Sequence, residues 1–229
     1  MTAGFHLYLD SADLGELRAC LPHPVVHGVT TNPTLLRRAG VSRDDLPALL
    51  NECLALGARQ VQAQVQAADV DAMLDDAQRL LAGFEPGRLV VKIPATRDGL
   101  RAGAQLSAAG HAVTYTAVYA PEQAHFAALL GAAYAAPYLG RLQDGGIDGL
   151  ALVGHMQALL VQTGAPTRLL VASVRSREAY LALLALGVGA ITIPPRLLPE
   201  LLDHPATLEA ERGFLADARA LALNPKENP

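Results

Sequence analysis

Lys92 sits inside Leu89-Val90-Val91-Lys92-Ile93-Pro94, a β-branched apolar run in a chain that otherwise avoids lysine. Of the 18 basic residues only two are lysine, and the second, Lys226, lies in the polar tail Asn224-Pro225-Lys226-Glu227-Asn228-Pro229. Arginine cannot stand in for an amine that must lose its proton, because a guanidinium stays charged and is no nucleophile. An amine in a low-dielectric site can lose it, since burial disfavours the charged form. The neutral amine can then attack a carbonyl and form a Schiff base. The plainer alternative is a strand lysine whose ammonium reaches water or a carboxylate. What the chain places beside Lys92 decides between the two.

Short β-rich runs alternate with longer segments of helical period. The pattern predicts strands at 5–9, 25–29, 60–65, 89–93, 112–117, 133–136, 169–172 and 190–193. It predicts helices at 14–21, 44–56, 69–81, 98–108, 121–130, 150–162, 177–186 and 196–202. Ser11-Ala12-Asp13 and Ser176 offer entry caps for two of the helices. Eight strand–helix pairs predict a (β/α)8 TIM barrel, one domain over residues 1–229. An open doubly wound sheet is the alternative. It would carry a glycine-rich loop after its first strand, where this chain has Asp10-Ser11-Ala12-Asp13. A spare amphipathic segment at 205–223, with Leu208, Phe214, Leu215, Leu221 and Leu223, is an extra C-terminal helix expected to pack on a neighbouring subunit.

In such barrels the chemistry gathers at the C-terminal ends of the strands. Here those ends read as Asp10, then Thr30-Thr31-Asn32-Pro33, then Gln62 and Gln64, then Lys92, then Thr114 and Thr116. Pro137-Tyr138-Leu139-Gly140-Arg141 follows the sixth strand, and Ser173 with Arg175 follows the seventh. Each has a dull explanation alone: Asp10 as a helix cap, the threonines as β-formers, Tyr138 as core, Arg141 as a solvated charge. Together they surround one lysine with groups that move protons and bind anions.

Bulk properties narrow the field. Hydrophobic residues make up 51% of the chain, enough for a sizeable core, and aromatics only 4%, so Ala, Leu and Val must fill it. A net charge of −4 argues against nucleic acid or an anionic membrane as the main partner. No apolar run approaches the ~18 residues of a membrane span. The first residues show no basic stretch followed by an apolar one, so a signal peptide is not expected and the cytoplasm is the default. Cys20 and Cys53 suggest neither a disulfide framework nor a metal site. The seven histidines form no HxH or HExxH arrangement.

The blocks Leu7-Tyr8-Leu9-Asp10, Gly28-Val29-Thr30-Thr31-Asn32-Pro33, Val90-Val91-Lys92-Ile93-Pro94, Thr116-Ala117-Val118-Tyr119, Ala136-Pro137-Tyr138-Leu139-Gly140-Arg141 and Val171-Ala172-Ser173-Val174-Arg175 occur in this order. In this the chain resembles the transaldolase family from residue 7 to about 215, and within it the small-transaldolase and fructose-6-phosphate aldolase subfamily. The resemblance implies that Lys92 forms the Schiff base with a ketose and that Asp10 assists the proton transfers. It implies that Asn32 orients the hydroxyls of the bound three-carbon unit, with Thr30 and Thr31 shaping that floor. Thr116 and Gln64 would hold a catalytic water, and Arg141, Ser173 and Arg175 the substrate phosphate. No metal or organic cofactor is implied; the partners are sugar phosphates and further copies of the chain, in a pentamer or decamer.

Two positions bear on the reaction. Transaldolases proper resemble each other in a Glu on the third strand and a Phe after the sixth, where this chain has Gln64 and Tyr138. That pair is similar to fructose-6-phosphate aldolase, which releases dihydroxyacetone instead of passing it to an acceptor. A transaldolase tolerating both residues is the alternative. A non-catalytic sugar-phosphate-binding barrel is disfavoured by the intact Lys92, Asp10, Asn32 and Thr116. A deoxyribose-phosphate aldolase would be expected to place a second lysine beside the first. Val174, Thr114-Tyr115 and Leu36-Arg37-Arg38 depart from the family pattern and leave the preferred aldehyde open.

Overall fold

The computed structural model describes residues 4–223, so Lys226 lies outside the described residues. Eight parallel strands close in sequence order into a barrel. They are β1 (His6–Asp10), β2 (Val26–Thr30), β3 (Gln60–Gln64), β4 (Leu89–Pro94), β5 (Val113–Val118), β6 (Tyr134–Pro137), β7 (Arg168–Val171) and β8 (Ala190–Ile193). Single helices follow five of the first seven: α1 (Leu14–Cys20) after β1, α4 (Val70–Leu81) after β3, α5 (Arg97–Ala108) after β4, α6 (Pro121–Leu129) after β5 and α9 (Arg177–Ala185) after β7. Two helices follow β2, α2 (Pro33–Ala39) and α3 (Leu46–Ala55), and two follow β6, α7 (Leu139–Asp144) and α8 (Gly149–Thr163). After β8 come α10 (Leu197–Leu202) and α11 (Pro205–Leu223). This is the TIM barrel with an extra C-terminal helix that the alternation predicts. Every strand end falls within one residue of its expected place. The short helices α2 and α7 were not expected, and both open directly from a strand end that carries site residues.

The strands read as near-continuous apolar runs because both faces are buried. One face meets the helices: Leu9, Val29, Val61, Val91, Ile93 and Ile191 belong to that outer core. The other face fills the barrel, where Tyr8, Val90, Tyr134, Ala136, Leu170 and Ala190 pack together. Fully burying a side chain of this size contributes about 1.5–3 kcal/mol. Tyr8 fits inside because its neighbour in register is Gly28, where a Cβ would lie 1.9 Å from the Gln60 carbonyl oxygen and 3.0 Å from the Tyr8 ring.

Polar atoms low in the barrel pair with each other. Tyr8 Oη donates to Gln60 Oε1 at 2.5 Å, and Tyr134 Oη lies 2.8 Å from Tyr8 Oη and 2.7 Å from His6 Nδ1. His6 in turn stacks on His27 with ring centroids 3.7 Å apart.

The expected caps form. Asp13 Oδ1 accepts from the Gly15 and Glu16 amides at the start of α1, and Ser176 Oγ accepts from the Ala179 amide at the start of α9. Residues 205–221 of α11 are all exposed, including Leu208, Phe214, Leu215 and Leu221. Among the described residues no helix is long and apolar enough to cross a membrane.

Candidate active site

Lys92 is 3% exposed. Its Nζ donates to the backbone carbonyl of Thr31 at 2.9 Å. It lines a cavity of about 290 Å³ at the C-terminal mouth of the barrel together with Asp10, Asn32, Tyr138, Arg141, Ser173 and Arg175. Seven of the eleven residues expected at the site therefore line one cavity. Thr30, Thr31 and Thr116 stand behind it. Gln64 is in register with Lys92 on β3 and half-buried, but is not among the lining residues.

Burial holds the Lys92 amine below its ordinary 10.5, opposed by attraction to the Asp10 carboxylate. Burial pushes the Asp10 carboxyl above its ordinary 3.8, opposed by Lys92, the Thr30 hydrogen bond and Arg141. Both groups are thus moved toward neutrality, which suits an amine that must attack and a carboxyl that must pass a proton.

Asp10 is anchored from beneath. Thr30 Oγ1 donates to Asp10 Oδ1 at 2.7 Å and lies 2.7 Å from Thr192 Oγ1. Thr192 was missed in the sequence, although it is the sole polar side chain of Ala190–Ile193.

Asn32 is the N-cap of α2. Its Oδ1 accepts from the amides of Thr34 and Leu35 at 3.0 and 3.1 Å, and Pro33 takes the first helical position, where no amide is needed. The cap uses the carbonyl oxygen and leaves the side-chain amide nitrogen as the donor this cavity-lining residue can offer a ligand.

Across the cavity, Thr116 Oγ1 and Tyr138 Oη are 2.8 Å apart. Directly after Thr116 the β5–β6 register shifts before Val118, with Ala117 bulged into the left-handed region at φ 56°. Tyr138 is 8% exposed, and burial raises its phenol above its ordinary 10.0, so it stays protonated. The Arg141 guanidinium covers its ring at 4.7 Å.

The cationic side of the cavity depends on close backbone approach. Ser173 is left-handed at φ 59°, and its carbonyl accepts from the Gly140 amide at 3.1 Å. A Cβ on Gly140 would lie 2.7 Å from that carbonyl oxygen and 2.7 Å from Arg175 Nε. Arg175 forks onto Asp144 with Nη1 and Nη2 at 2.7 and 2.6 Å. Asp144 therefore orients Arg175 and offsets part of its charge, a partner that sequence reading did not find. Arg38, one of the departures from the family pattern, lines the cavity from α2. Among the described residues no group of three or more His, Cys, Asp or Glu could hold a metal ion.

The family model described as "Transaldolase/Fructose-6-phosphate aldolase" matches residues 7–227. A probable transaldolase of Anaeromyxobacter sp. (strain K) is 37% identical over 219 residues, covering 96% of this chain and 99% of the relative. A probable transaldolase of Dehalococcoides mccartyi is 35% identical over 216 residues, covering 94% of this chain and 98% of the relative. A solved mandelate oxidase mutant superposes with a TM-score of 0.58 at 19% identity, over 83% of this chain and 64% of that one, a likeness of barrel fold alone. The chain belongs to the transaldolase/fructose-6-phosphate aldolase family.

Proposed function

We propose that the chain cleaves fructose 6-phosphate through an imine on Lys92 and releases glyceraldehyde 3-phosphate and dihydroxyacetone. The observation that carries this reading is a lysine 3% exposed on the wall of a cavity it shares with Asp10 and Tyr138.

The neutral amine adds to the C2 carbonyl. Asp10 supplies the proton with which the carbinolamine hydroxyl leaves as water, giving an iminium. Asp10, now the carboxylate, takes the C4 hydroxyl proton as C3–C4 breaks. The bonding pair flows into the iminium as an enamine, and the aldehyde departs. Asn32 holds the three-carbon unit that remains over a floor shaped by Thr30 and Thr31, and Arg141, Ser173 and Arg175 hold the phosphate of the departing aldehyde.

Release then requires protonation of the enamine at C3 and attack of water on the imine. Gln64 cannot serve as a base, because an amide does not titrate. The phenol of Tyr138, hydrogen-bonded to Thr116 at 2.8 Å, is the group suited to handle protons for a water held by Thr116 and Gln64. This favours release over transfer. The second reading is a transaldolase that hands the enamine to an aldose phosphate, and the names of the curated relatives favour it.

Fructose 6-phosphate supplied alone separates them. Steady multiple turnover with free dihydroxyacetone is the outcome for an aldolase. Turnover that begins only when erythrose 4-phosphate is added is the outcome for a transaldolase.

The exposed apolar residues of α11, Phe214 at 72% and Leu221 at 76%, support a further reading as a contact between copies in a pentamer or decamer. Removal of residues 205–229 would then lower the number of copies per assembly in light scattering; an unchanged number would refute it.

A further inference from the structure

Asp10 is held by two hydroxyls in series, and the series has a direction. Thr30 on β2 owns one hydroxyl hydrogen and gives it to Asp10 Oδ1 at 2.7 Å. The same Thr30 oxygen lies 2.7 Å from Thr192 Oγ1 on β8. With Thr30's hydrogen already engaged, the hydrogen in that second contact comes from Thr192. Thr30 is 0% and Thr192 1% exposed, so solvent offers neither an easy substitute.

We infer that Thr192 is a positioning residue for the acid–base step: it fixes Thr30 as a donor to Oδ1, so that the proton Asp10 takes up and returns is carried on Oδ2. The inference rests on the reading of Asp10 as the proton carrier.

The reason is a count of hydrogens. Protonation on Oδ1 would require Thr30 to accept from Asp10 and turn its own hydrogen onto Thr192. The Thr192 hydrogen would then lose its acceptor in a buried layer, since among the described residues Thr30 is the side chain it hydrogen-bonds. Protonation on Oδ2 disturbs neither hydroxyl. The relay also favours the ionised carboxylate, because hydrogen bonds to the charged form stabilise it.

Other charges face Asp10. Lys92 on β4, Tyr138 and Arg141 beyond β6, Arg175 beyond β7 and Arg38 on α2 share its cavity. Asp13 and Glu16 near the start of α1, with Arg196 before α10, line the groove on its other side. A change confined to residue 192 leaves all of these in place, so a shift in Asp10 titration reports the relay.

Thr192→Val keeps the branched shape and removes the hydroxyl. Thr30 then loses the donor that polarises its hydroxyl and holds Oδ1 more weakly, so the ionised form loses stabilisation and the protonated form gains. The test follows glyceraldehyde 3-phosphate release from fructose 6-phosphate with erythrose 4-phosphate present, across pH, so that either member of the family would report. Thr192→Val is expected to move the acid limb of kcat up by about half a pH unit, roughly a threefold change in the protonation equilibrium. KM should change little, and Thr192→Ser should restore the limb. Thr192→Ala is the second hydroxyl-free variant should Val not fold, with circular dichroism checking each. An acid limb at the wild-type position in the folded hydroxyl-free variant overturns the inference alone, whatever the rate. Absence of release by the wild-type protein overturns the functional reading and the inference with it.

Discussion

Lys92 Nζ donates to the Thr31 carbonyl at 2.9 Å, while Asp10 acts on the amine as a charge across the cavity. A neutral carbonyl partner holds the amine in place without adding a full opposing charge. Burial lowers the pKa of Lys92 and Asp10 raises it. Asp10→Asn should therefore push the amine further below its ordinary 10.5. The midpoint for labelling of Lys92 by an amine-directed reagent is expected to move to lower pH than in the wild type. Turnover should fall at the same time by about 10²-fold or more, because the proton carrier is gone. A labelling midpoint that rises would contradict this balance of burial and charge.

Gly140→Ala tests the cationic wall. Its Cβ would lie 2.7 Å from the Ser173 carbonyl oxygen and 2.8 Å from Ser173 Oγ, so Ser173 and Arg175 must shift. KM for fructose 6-phosphate should rise about tenfold, the scale of one charge-assisted hydrogen bond. Addition of dihydroxyacetone to an unphosphorylated aldehyde should change much less. Equal effects on both would mean that the phosphate binds elsewhere.

Much of this was legible in the sequence. The barrel follows from alternating runs, and Lys92, Asp10 and Asn32 stand at strand ends where such barrels work. What escaped depends on distances across the barrel. Thr192 was not singled out, because only closure of the sheet brings its Oγ1 to 2.7 Å from Thr30 Oγ1. Asp144 lies 31 positions before Arg175, and nothing local pairs them. The seven-residue α2 and six-residue α7 are too short to show a period, although Asn32 before Pro33 was a readable start signal. Gln64 reached the register of Lys92 without reaching the cavity lining, a matter of side-chain placement that spacing does not encode.

Tyr138→Phe should alter partitioning more than cleavage. The substitution keeps the ring under Arg141 and removes the hydroxyl that meets Thr116 at 2.8 Å. The ratio of free dihydroxyacetone to transfer product, measured with erythrose 4-phosphate present, is expected to fall several-fold. An unchanged ratio would deny Tyr138 its place in the hydrolytic half-reaction.

The opposite end of the barrel sets an acid limit on stability. Burial first, then His27, Arg168 and Arg59, lower the His6 pKa from 6.5 to about 4. The unfolded chain therefore binds this proton before the folded one. The stability at stake is complete above pH 6.5 and is lost as pH falls toward 4. Urea midpoints should drop across that window, and His6→Gln should flatten the drop. An equally steep fall in the variant would assign it to other groups.

The claim on which the rest depends is that Lys92 carries the intermediate. The protein is incubated with fructose 6-phosphate, reduced with borohydride, digested and mapped by mass spectrometry. The account predicts a reduced three-carbon or ketose adduct on the peptide containing Lys92, absent from Lys92→Arg. An adduct on any other residue, or none while the enzyme turns over, would contradict it.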